Sequence, residues 1–338
     1  MNLLILNLEE HILRVLMFDA VLIVSFGGPQ SMDDIRPFLA NVLQGRHVPT
    51  NRIEEVAQHY EHFKGVSPIT ELTNQQAVGL QERLKASGYS LPIYIGMRNW
   101  HPLLPDTLRQ MSDDGVRSAV GFITAAQHSY SSCEQYRQNV ADARAELRAT
   151  GKPDVEVTYV QSWFDHPLFI ETNALHVREA LAKLPPNLRG QARLVCTAHS
   201  IPRQMAEESL YREQLDTSAR LVATRAGMKE WALVYQSRSG RPETPWLEPD
   251  ICDYLRNEHS NGLSAAVICP IGFVCDHIEV LWDLDEEAAA VCKECGIVMA
   301  RAEAANADPC FIELMADVVL KEIRRYHSGR PLTLTRPE

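Results

Sequence analysis

Eight short apolar runs rich in β-branched residues alternate along this chain with longer amphipathic stretches, and this order constrains the fold more than any other feature. Such alternation predicts parallel strands joined by crossover helices, and therefore an α/β protein. Strands are predicted at Val21 to Phe26, Ile93 to Met97, Ser118 to Ile123, Glu156 to Val160, Leu194 to Ala198, Ala232 to Gln236, Ala265 to Cys269 and Ile297 to Ala300. Helices are predicted near Met32 to Leu43, Arg52 to Phe63, Asn74 to Ala86, Ser132 to Leu147, Pro167 to Leu184, Tyr211 to Ala226, Pro249 to Arg256, Asp283 to Cys292 and Pro309 to Tyr326. Eight strands suit two four-stranded parallel sheets.

Charge and hydropathy narrow the class of protein. The 338 residues carry a net charge of -11, and no basic run exceeds Arg324-Arg325, which argues against a nucleic-acid partner. No apolar run approaches the roughly 20 residues of a membrane span, so no integral membrane segment is expected. Glu9 and Glu10 interrupt the apolar opening, which therefore does not resemble a signal peptide, and a cytoplasmic protein is expected. Because Met17 begins a natural first strand, we expect residues 1 to 16 to be a misassigned start or a loosely attached helix.

Glycine, proline and polar residues follow several of the predicted strands. Their segments are Ser25-Phe-Gly-Gly-Pro29, Met97-Arg-Asn-Trp-His-Pro102, His199-Ser-Ile-Pro202 and Gln236-Ser-Arg-Ser-Gly-Arg-Pro242. Open α/β sheets place their chemistry at the carboxyl ends of the strands, so these segments predict one shared cleft. The chain lacks a three-glycine dinucleotide fingerprint, a phosphate loop, a GxSxG elbow and an HExxH zinc motif, which excludes the enzyme classes that those motifs mark.

One further strand end carries a row of acidic residues. After Ala265-Ala-Val-Ile-Cys269 come His277 and Glu279, and then Asp283 and Glu287 at intervals of four. This spacing puts three carboxylates on one face of a helix, where their repulsion requires a cation or a substrate group, unless the face is simply solvated. His199 ends another apolar strand, and pairing it with Glu279 predicts a site for proton removal or metal handling.

Six segments, taken together and in order, resemble the ferrochelatase family, and the resemblance runs from about Asp19 to Val319. They are Ser25-Phe-Gly-Gly-Pro29, His59-Tyr-Glu-His-Phe-Lys-Gly-Val-Ser-Pro68, Gly96-Met-Arg-Asn-Trp100, Thr197-Ala-His-Ser-Ile-Pro202, Gln236-Ser-Arg-Ser-Gly240 with Trp246-Leu-Glu-Pro249, and Gly272-Phe-Val-Cys-Asp-His-Ile-Glu279. The sequences of these segments are similar to those of the actinobacterial type, whose members insert iron into coproporphyrin III rather than protoporphyrin IX.

The resemblance implies a chelatase-like fold of two Rossmann-like halves and an enzyme of heme biosynthesis that takes ferrous iron as substrate. We expect a first half at residues 17–160, a second half at 161–308, and a helix at 309–327 that packs back on the first half. The resemblance assigns His199 as the catalytic base, Glu279 as its partner, and both as residues that meet the metal. It assigns Asp283 and Glu287 to a path for protons or metal that leads outward.

Substrate contacts are also implied by the resemblance. Phe26 matches a position over the porphyrin ring, and His59, Tyr60 and Ser67 match positions that contact propionates. Arg46 is a further candidate for this contact. Some coproporphyrin-using relatives carry an arginine at the position of Leu43, and this chain departs from them there.

Four cysteines suggest that the protein could also hold an iron–sulfur cluster. Cys133 matches a position that ligates a 2Fe-2S cluster in some relatives, whose other three thiolates come from an extended carboxy-terminal tail, whereas no cysteine follows Cys310 in this sequence. Cys292, Cys295 and Cys310 are the candidate replacements, which would make four ligands.

Alternatives from the same and from other classes remain open. They are a protoporphyrin IX ferrochelatase, a cobalt or nickel chelatase for a sirohydrochlorin-type ring, and a noncatalytic tetrapyrrole or metal carrier. If the protein is a ferrochelatase of either kind, a porphyrin is its expected partner. Transient contact with other heme-pathway enzymes is a further expectation.

Overall fold

A computed structural model describes residues 18–45, 50–239 and 243–327. Within them, eight strands form two four-stranded parallel sheets, with the orders β2-β1-β3-β4 and β6-β5-β7-β8. The strands are β1 (Ala20–Ser25), β2 (Ile93–Met97), β3 (Ser118–Ile123), β4 (Glu156–Tyr159), β5 (Arg193–His199), β6 (Trp231–Gln236), β7 (Ala265–Cys269) and β8 (Val298–Arg301). The predicted fold class, with two Rossmann-like four-stranded sheets flanked by helices, is confirmed.

The crossover helices cover both faces of each sheet. They are α1 (Ile35–Val42), α2 (Thr50–His62), α3 (Ile69–Ala86), α4 (Leu104–Asp113), α5 (Gln135–Ala149, preceded by a π turn at Tyr130–Glu134), α6 (Pro167–Lys183), α7 (Arg203–Glu207), α8 (Tyr211–Ala226), α9 (Ile251–Ser260), α10 (residues 278–295) and α11 (Pro309–His327). The sequence analysis missed α4 and the short α7. Pro102 and Pro202 precede these helices, in segments whose proline and polar residues indicate turns after a strand.

Burial explains why the central strands are almost continuously apolar. All six residues of β1 and all five of β7 are buried, because helices cover both faces of a parallel sheet. The outer strands β4 and β8 each begin with an exposed residue, as strands at the edge of a sheet can.

The last helix, α11, packs against α3 and β3 of the first sheet and also against α6. Its buried Phe311 meets Phe122 of β3 and Trp163, with ring centroids 6.4 and 5.7 Å apart. The largest apolar cluster of the described residues includes side chains from both sheets. Because α11 packs on the first sheet and also on α6, the predicted boundaries of the two halves stay a prediction.

In the part of the chain that the structure describes, no helix is both long and apolar enough to cross a lipid bilayer. The expectation about residues 1 to 16 lies outside the described residues.

Candidate active site

His199 is the last residue of β5, and its side chain is 34% exposed. Its Nδ1 contacts the carbonyl oxygen of Ser200. A carbonyl oxygen only accepts hydrogen bonds, so Nδ1 carries the hydrogen and the neutral ring keeps its lone pair on Nε2. Tyr211 donates a hydrogen bond of 3.0 Å to the backbone oxygen of His199 and holds the strand end in place.

Glu279 reaches the same place from β7. The turn after β7 packs on the end of β5, because Gly272 donates a backbone hydrogen bond of 3.0 Å to Thr197. A Cβ at Gly272 would lie 2.5 Å from the Cβ of Ala198, so the close approach requires glycine. Glu279 is in the first turn of α10, and its Oε2 lies 3.9 Å from Nε2 of His199. Two separate strand ends thus bring a base and a carboxylate together.

We call Glu279, Asp283 and Glu287, the three carboxylates spaced at intervals of four, the acidic file. The middle of α10 is a π-helix, Leu281–Ala288, and it contains Asp283 and Glu287. The Oδ2 atom of Asp283 accepts a hydrogen bond of 3.1 Å from Nε2 of Gln236 and another from the hydroxyl of Ser237. Burial raises the pKa of Asp283 to about 7; Ser237 opposes this rise, whereas the charges of Glu279 and Glu287 add to it. Asp283 is therefore a carboxyl group that can gain or lose a proton near neutral pH.

Sequence reasoning missed the roles of Gln236 and Ser237. Ser237 has a positive φ of 61°, a conformation that is uncommon outside glycine, and its hydroxyl contacts Asp283 in this conformation. The Nε2 of Gln236 also lies 3.4 Å from the backbone oxygen of Glu279. The signal was the polar segment after β6, which the sequence analysis noted without assigning its residues.

Other acidic residues of α10 have partners outside the file. Asp285 pairs with Arg301 at 2.7 Å, and Glu286 lies 3.2 Å from Nε2 of His62. Glu287 accepts a hydrogen bond of 2.9 Å from the indole of Trp282. Asp285 and Glu286, which do not belong to the file, are thus paired with basic side chains, whereas Glu287 of the file is held by Trp282.

Helix α2 of the first half lies against α10. The ring of His59 stacks on Trp282 with centroids 3.9 Å apart and an interplanar angle of 11°. Burial lowers the pKa of His59, and the charge of Glu287 opposes this shift. Tyr60 is buried against Phe38, and burial followed by the charges of Glu279 and Asp283 raises its pKa well above the usual value. His59 and Tyr60 therefore lie near the acidic file.

Phe26 and Ser67 occupy the first half. Phe26 packs against the apolar cluster that includes Phe38, Tyr60 and Ile278, the residue before Glu279. Ser67 is only 2% exposed, because it packs beneath Gly28. The structure thus places Phe26 beside the site and Ser67 below its surface, while Arg46 lies outside the described residues.

His277 lies two residues before Glu279 and is partly buried. Its ring meets that of Phe273 with centroids 5.0 Å apart. Burial lowers its pKa, and the charge of Glu279 opposes the shift, so the ring stays neutral at neutral pH.

The structure does not bring the four candidate cluster cysteines together. Cys133 packs at the edge of the core of the first sheet, whereas Cys292 and Cys295 belong to a separate core cluster around β7. The thiol of Cys310 contacts the backbone oxygen of Leu168 at 3.6 Å. Among the described residues, no three of these sulfurs lie within 4.8 Å of one another. The structure therefore corrects the prediction of a four-cysteine site, because the four cysteines lie in different parts of the fold.

Comparisons with known proteins agree with this architecture. A family model described as ferrochelatase matches residues 18–323. The coproporphyrin III ferrochelatase of Mycolicibacterium smegmatis is 48% identical over 89% of each chain. The ferrochelatase of Rhodopirellula baltica is 48% identical over 90% of this chain and 86% of its own. A solved structure of the sirohydrochlorin chelatase SirB from Bacillus subtilis subspecies spizizenii with cobalt has a TM-score of 0.54 at 10% identity, covering 93% of this chain and 98% of its own, which shows a shared fold alone.

Proposed function

This chain belongs to the ferrochelatase family, and we propose that it inserts ferrous iron into coproporphyrin III and releases the two pyrrole protons. The family supports iron insertion into a porphyrin as a step of heme biosynthesis. The names of its relatives support coproporphyrin III as the porphyrin.

One observation carries the mechanism: Nε2 of His199 faces Glu279 at 3.9 Å, and the two residues come from different strand ends. The iron can bind four ring nitrogens only after two of them have lost their protons. His199 has its lone pair on Nε2, so it accepts the first pyrrole proton there, and Glu279 stabilises the imidazolium that forms. Transfer of that proton to the carboxylate of Glu279 frees Nε2 to accept the second one.

The protons must then leave. Gln236 positions Asp283 relative to Glu279, because its side chain lies near the backbone oxygen of Glu279 and donates to the carboxylate of Asp283. Because the pKa of Asp283 is about 7, it accepts a proton and releases it again at neutral pH. Glu287 extends the file outward, so we assign the three carboxylates to a proton route.

Phe26, which is partly exposed at the edge of the buried apolar cluster beside the pair, suits contact with a flat macrocycle. Phe26 and Tyr60 pack around Ile278, next to Glu279. Apolar walls that hold the ring in a bent shape expose its nitrogen lone pairs and lower the barrier to metal insertion. We therefore place one face of the porphyrin against Phe26.

Replacing the base tests the mechanism. We expect His199→Ala to lower the rate of iron insertion at least about a hundredfold while coproporphyrin binding, followed by fluorescence quenching, stays within a few-fold of normal. His259→Ala is the matched control, because His259 is exposed on α9. Near-normal turnover of the His199 variant would contradict the assigned role.

Substrate choice needs a direct comparison. Anaerobic insertion of ferrous iron is measured with coproporphyrin III and protoporphyrin IX side by side, and we expect the first to react faster. Faster reaction of protoporphyrin IX would overturn the substrate proposal. Cobalt insertion into sirohydrochlorin without iron insertion would favour the alternative chelatase, and binding without turnover would favour a carrier.

The proposal does not include a 2Fe-2S cluster, because the four cysteines lie apart. Anaerobic purification is expected to give a colourless protein, and a brown protein with about two iron and two sulfide per chain would contradict this. Eight free cysteines support a reducing, cytoplasmic location, which cell fractionation tests. Contact with other heme-pathway enzymes stays a prediction, to be tested by crosslinking in cells.

A further inference from the structure

Three side chains with metal-binding atoms converge after β3, and the proposed iron-insertion mechanism uses none of them. They are His128, Cys133 and Glu134, whose ligand atoms all lie within 4.8 Å of one another. Nδ1 of His128 lies 2.6 Å from the sulfur of Cys133, and Nε2 lies 3.7 Å from a carboxylate oxygen of Glu134. The group contains a nitrogen, a sulfur and an oxygen ligand.

The backbone that carries these residues is fixed by other groups. Ser129 and Ser132 form reciprocal side-chain to backbone hydrogen bonds of 3.1 and 2.8 Å at the start of the π turn. The hydroxyl of Ser132 also donates to the backbone oxygen of Gln127 at 2.8 Å. The loop is therefore ordered by contacts that leave the three ligand side chains available.

The second half also holds this loop. The backbone N–H of His128 donates a hydrogen bond of 2.7 Å to the side chain of Gln214 on α8. Gln127 lies 3.3 Å from the backbone oxygen of Ile271, in the turn that leads to Glu279. A ligand bound at His128 would thus be attached to a loop that contacts both halves.

We propose that His128, Cys133 and Glu134 bind one divalent first-row transition metal ion with the preference of zinc. An imidazole and a thiolate select such a metal over magnesium or calcium. The thiolate and the carboxylate together neutralise its two positive charges. Two ligands on a tetrahedral zinc ion lie about 3.5 Å apart, so Nδ1 of His128 and the sulfur need to separate by roughly 1 Å. Because one ion binds only one ring nitrogen, the carboxylate of Glu134 also has to turn from Nε2 toward the ion, and side-chain rotation provides both shifts.

Exposure decides what kind of site this is. The side chains of His128 and Glu134 are 37% and 46% exposed, so solvent reaches the group. Three protein ligands leave a fourth position to water, which makes the ion exchangeable rather than a permanent structural element. Metal binding displaces the thiol proton of Cys133 and should shield that sulfur from alkylation.

Cobalt is the probe that tests the proposal, because a thiolate bound to Co²⁺ gives a charge-transfer absorption in the near ultraviolet. Full-length protein is stripped with a chelator and titrated anaerobically with Co²⁺. We expect one thiolate-bound cobalt per chain, displaced by Zn²⁺, and slower alkylation of Cys133 when metal is bound. Cys133→Ser should abolish the band, and Glu134→Gln should weaken binding at least about tenfold.

Controls separate this site from the iron-insertion site and from other thiols. Cys252→Ser removes another partly exposed cysteine and should leave the band unchanged, as should Glu279→Gln. His128→Asn, checked by circular dichroism, is a second variant in case the cysteine variant does not fold. The proposal is overturned if the wild type shows no thiolate band, if the band survives in Cys133→Ser, or if Cys133 binds iron with stoichiometric sulfide.

Iron insertion is measured on the same preparations. Loss of the cobalt band with normal insertion would reject this metal site alone. A normal band with no insertion would reject the proposed function alone.

Discussion

The buried carboxylate of Asp283 makes the stability of the folded protein depend on pH. Burial holds its pKa near 7, above the usual value of 3.8, so the folded protein binds this proton more tightly than the unfolded chain does. Below pH 3.8 both states are protonated and the residue costs nothing. As pH rises from 3.8 to 7, the unfolded chain ionises first and folding stability falls.

Asp283→Asn should therefore stabilise the protein at pH 8, because the amide keeps the polar contacts without the buried charge. The gain is at most about 4 kcal/mol and should shrink toward zero as pH falls to 4. Denaturant unfolding at both pH values measures it. Asp253→Asn, at a carboxylate that is 73% exposed, is the control and should change the free energy of unfolding little at either pH. A gain that is equal at pH 4 and pH 8 would contradict the assigned pKa.

Individual residues divide into those that local sequence can identify and those that it cannot. His199 ends an apolar strand and Glu279 lies in the segment that follows another, so their position at a sheet edge could be predicted. The contact between Ser237 and Asp283 joins different crossover units, and the stacking of His59 on Trp282 joins the two halves. Such pairs depend on how the units pack, which spacing along the chain does not encode.

Strands were easier to predict than helices, and α10 shows why. The apolar run predicts β7 at its observed residues, Ala265–Cys269. The predicted helix started at Asp283, whereas α10 begins at Ile278 and includes the π-helix Leu281–Ala288. A π-helix departs from the period of 3.6 on which helix prediction rests, and such turns are rare inside α-helices and frequent at functional sites.

The turn that leads into α10 sets the geometry of the site through Gly272. Gly272→Ala would place a Cβ 2.5 Å from that of Ala198, the residue before His199. We expect a loss of about 1–3 kcal/mol in stability and a fall in iron insertion of up to about a hundredfold, since the pair is displaced. Thermal unfolding and initial rates measure the two effects.

Gly190→Ala is the matched control, because a Cβ there meets nothing within 4 Å. Its stability and rate should stay near those of the wild type. Unchanged activity in Gly272→Ala would mean that the close approach of the turn to β5 does not position Glu279.

At the scale of the whole molecule, the two sheets share apolar side chains instead of folding around isolated cores. The largest cluster contains Val21 and Val120 from the first sheet with Leu194 and Val267 from the second. The strand pattern predicted two sheets, but it did not predict how closely their cores are joined, because that depends on the faces of α6 and α11.

Phe311→Ala tests whether the halves unfold together. The ring is fully buried between Phe122 and Trp163, so its removal should cost about 3–5 kcal/mol. If the shared core couples the halves, amide exchange followed by mass spectrometry should increase together in peptides from β1 and from β7. Val78→Ala is the control, since Val78 is 58% exposed, and it should leave exchange unchanged. Faster exchange confined to β1 would show that the two halves are independent folding units joined only by α11.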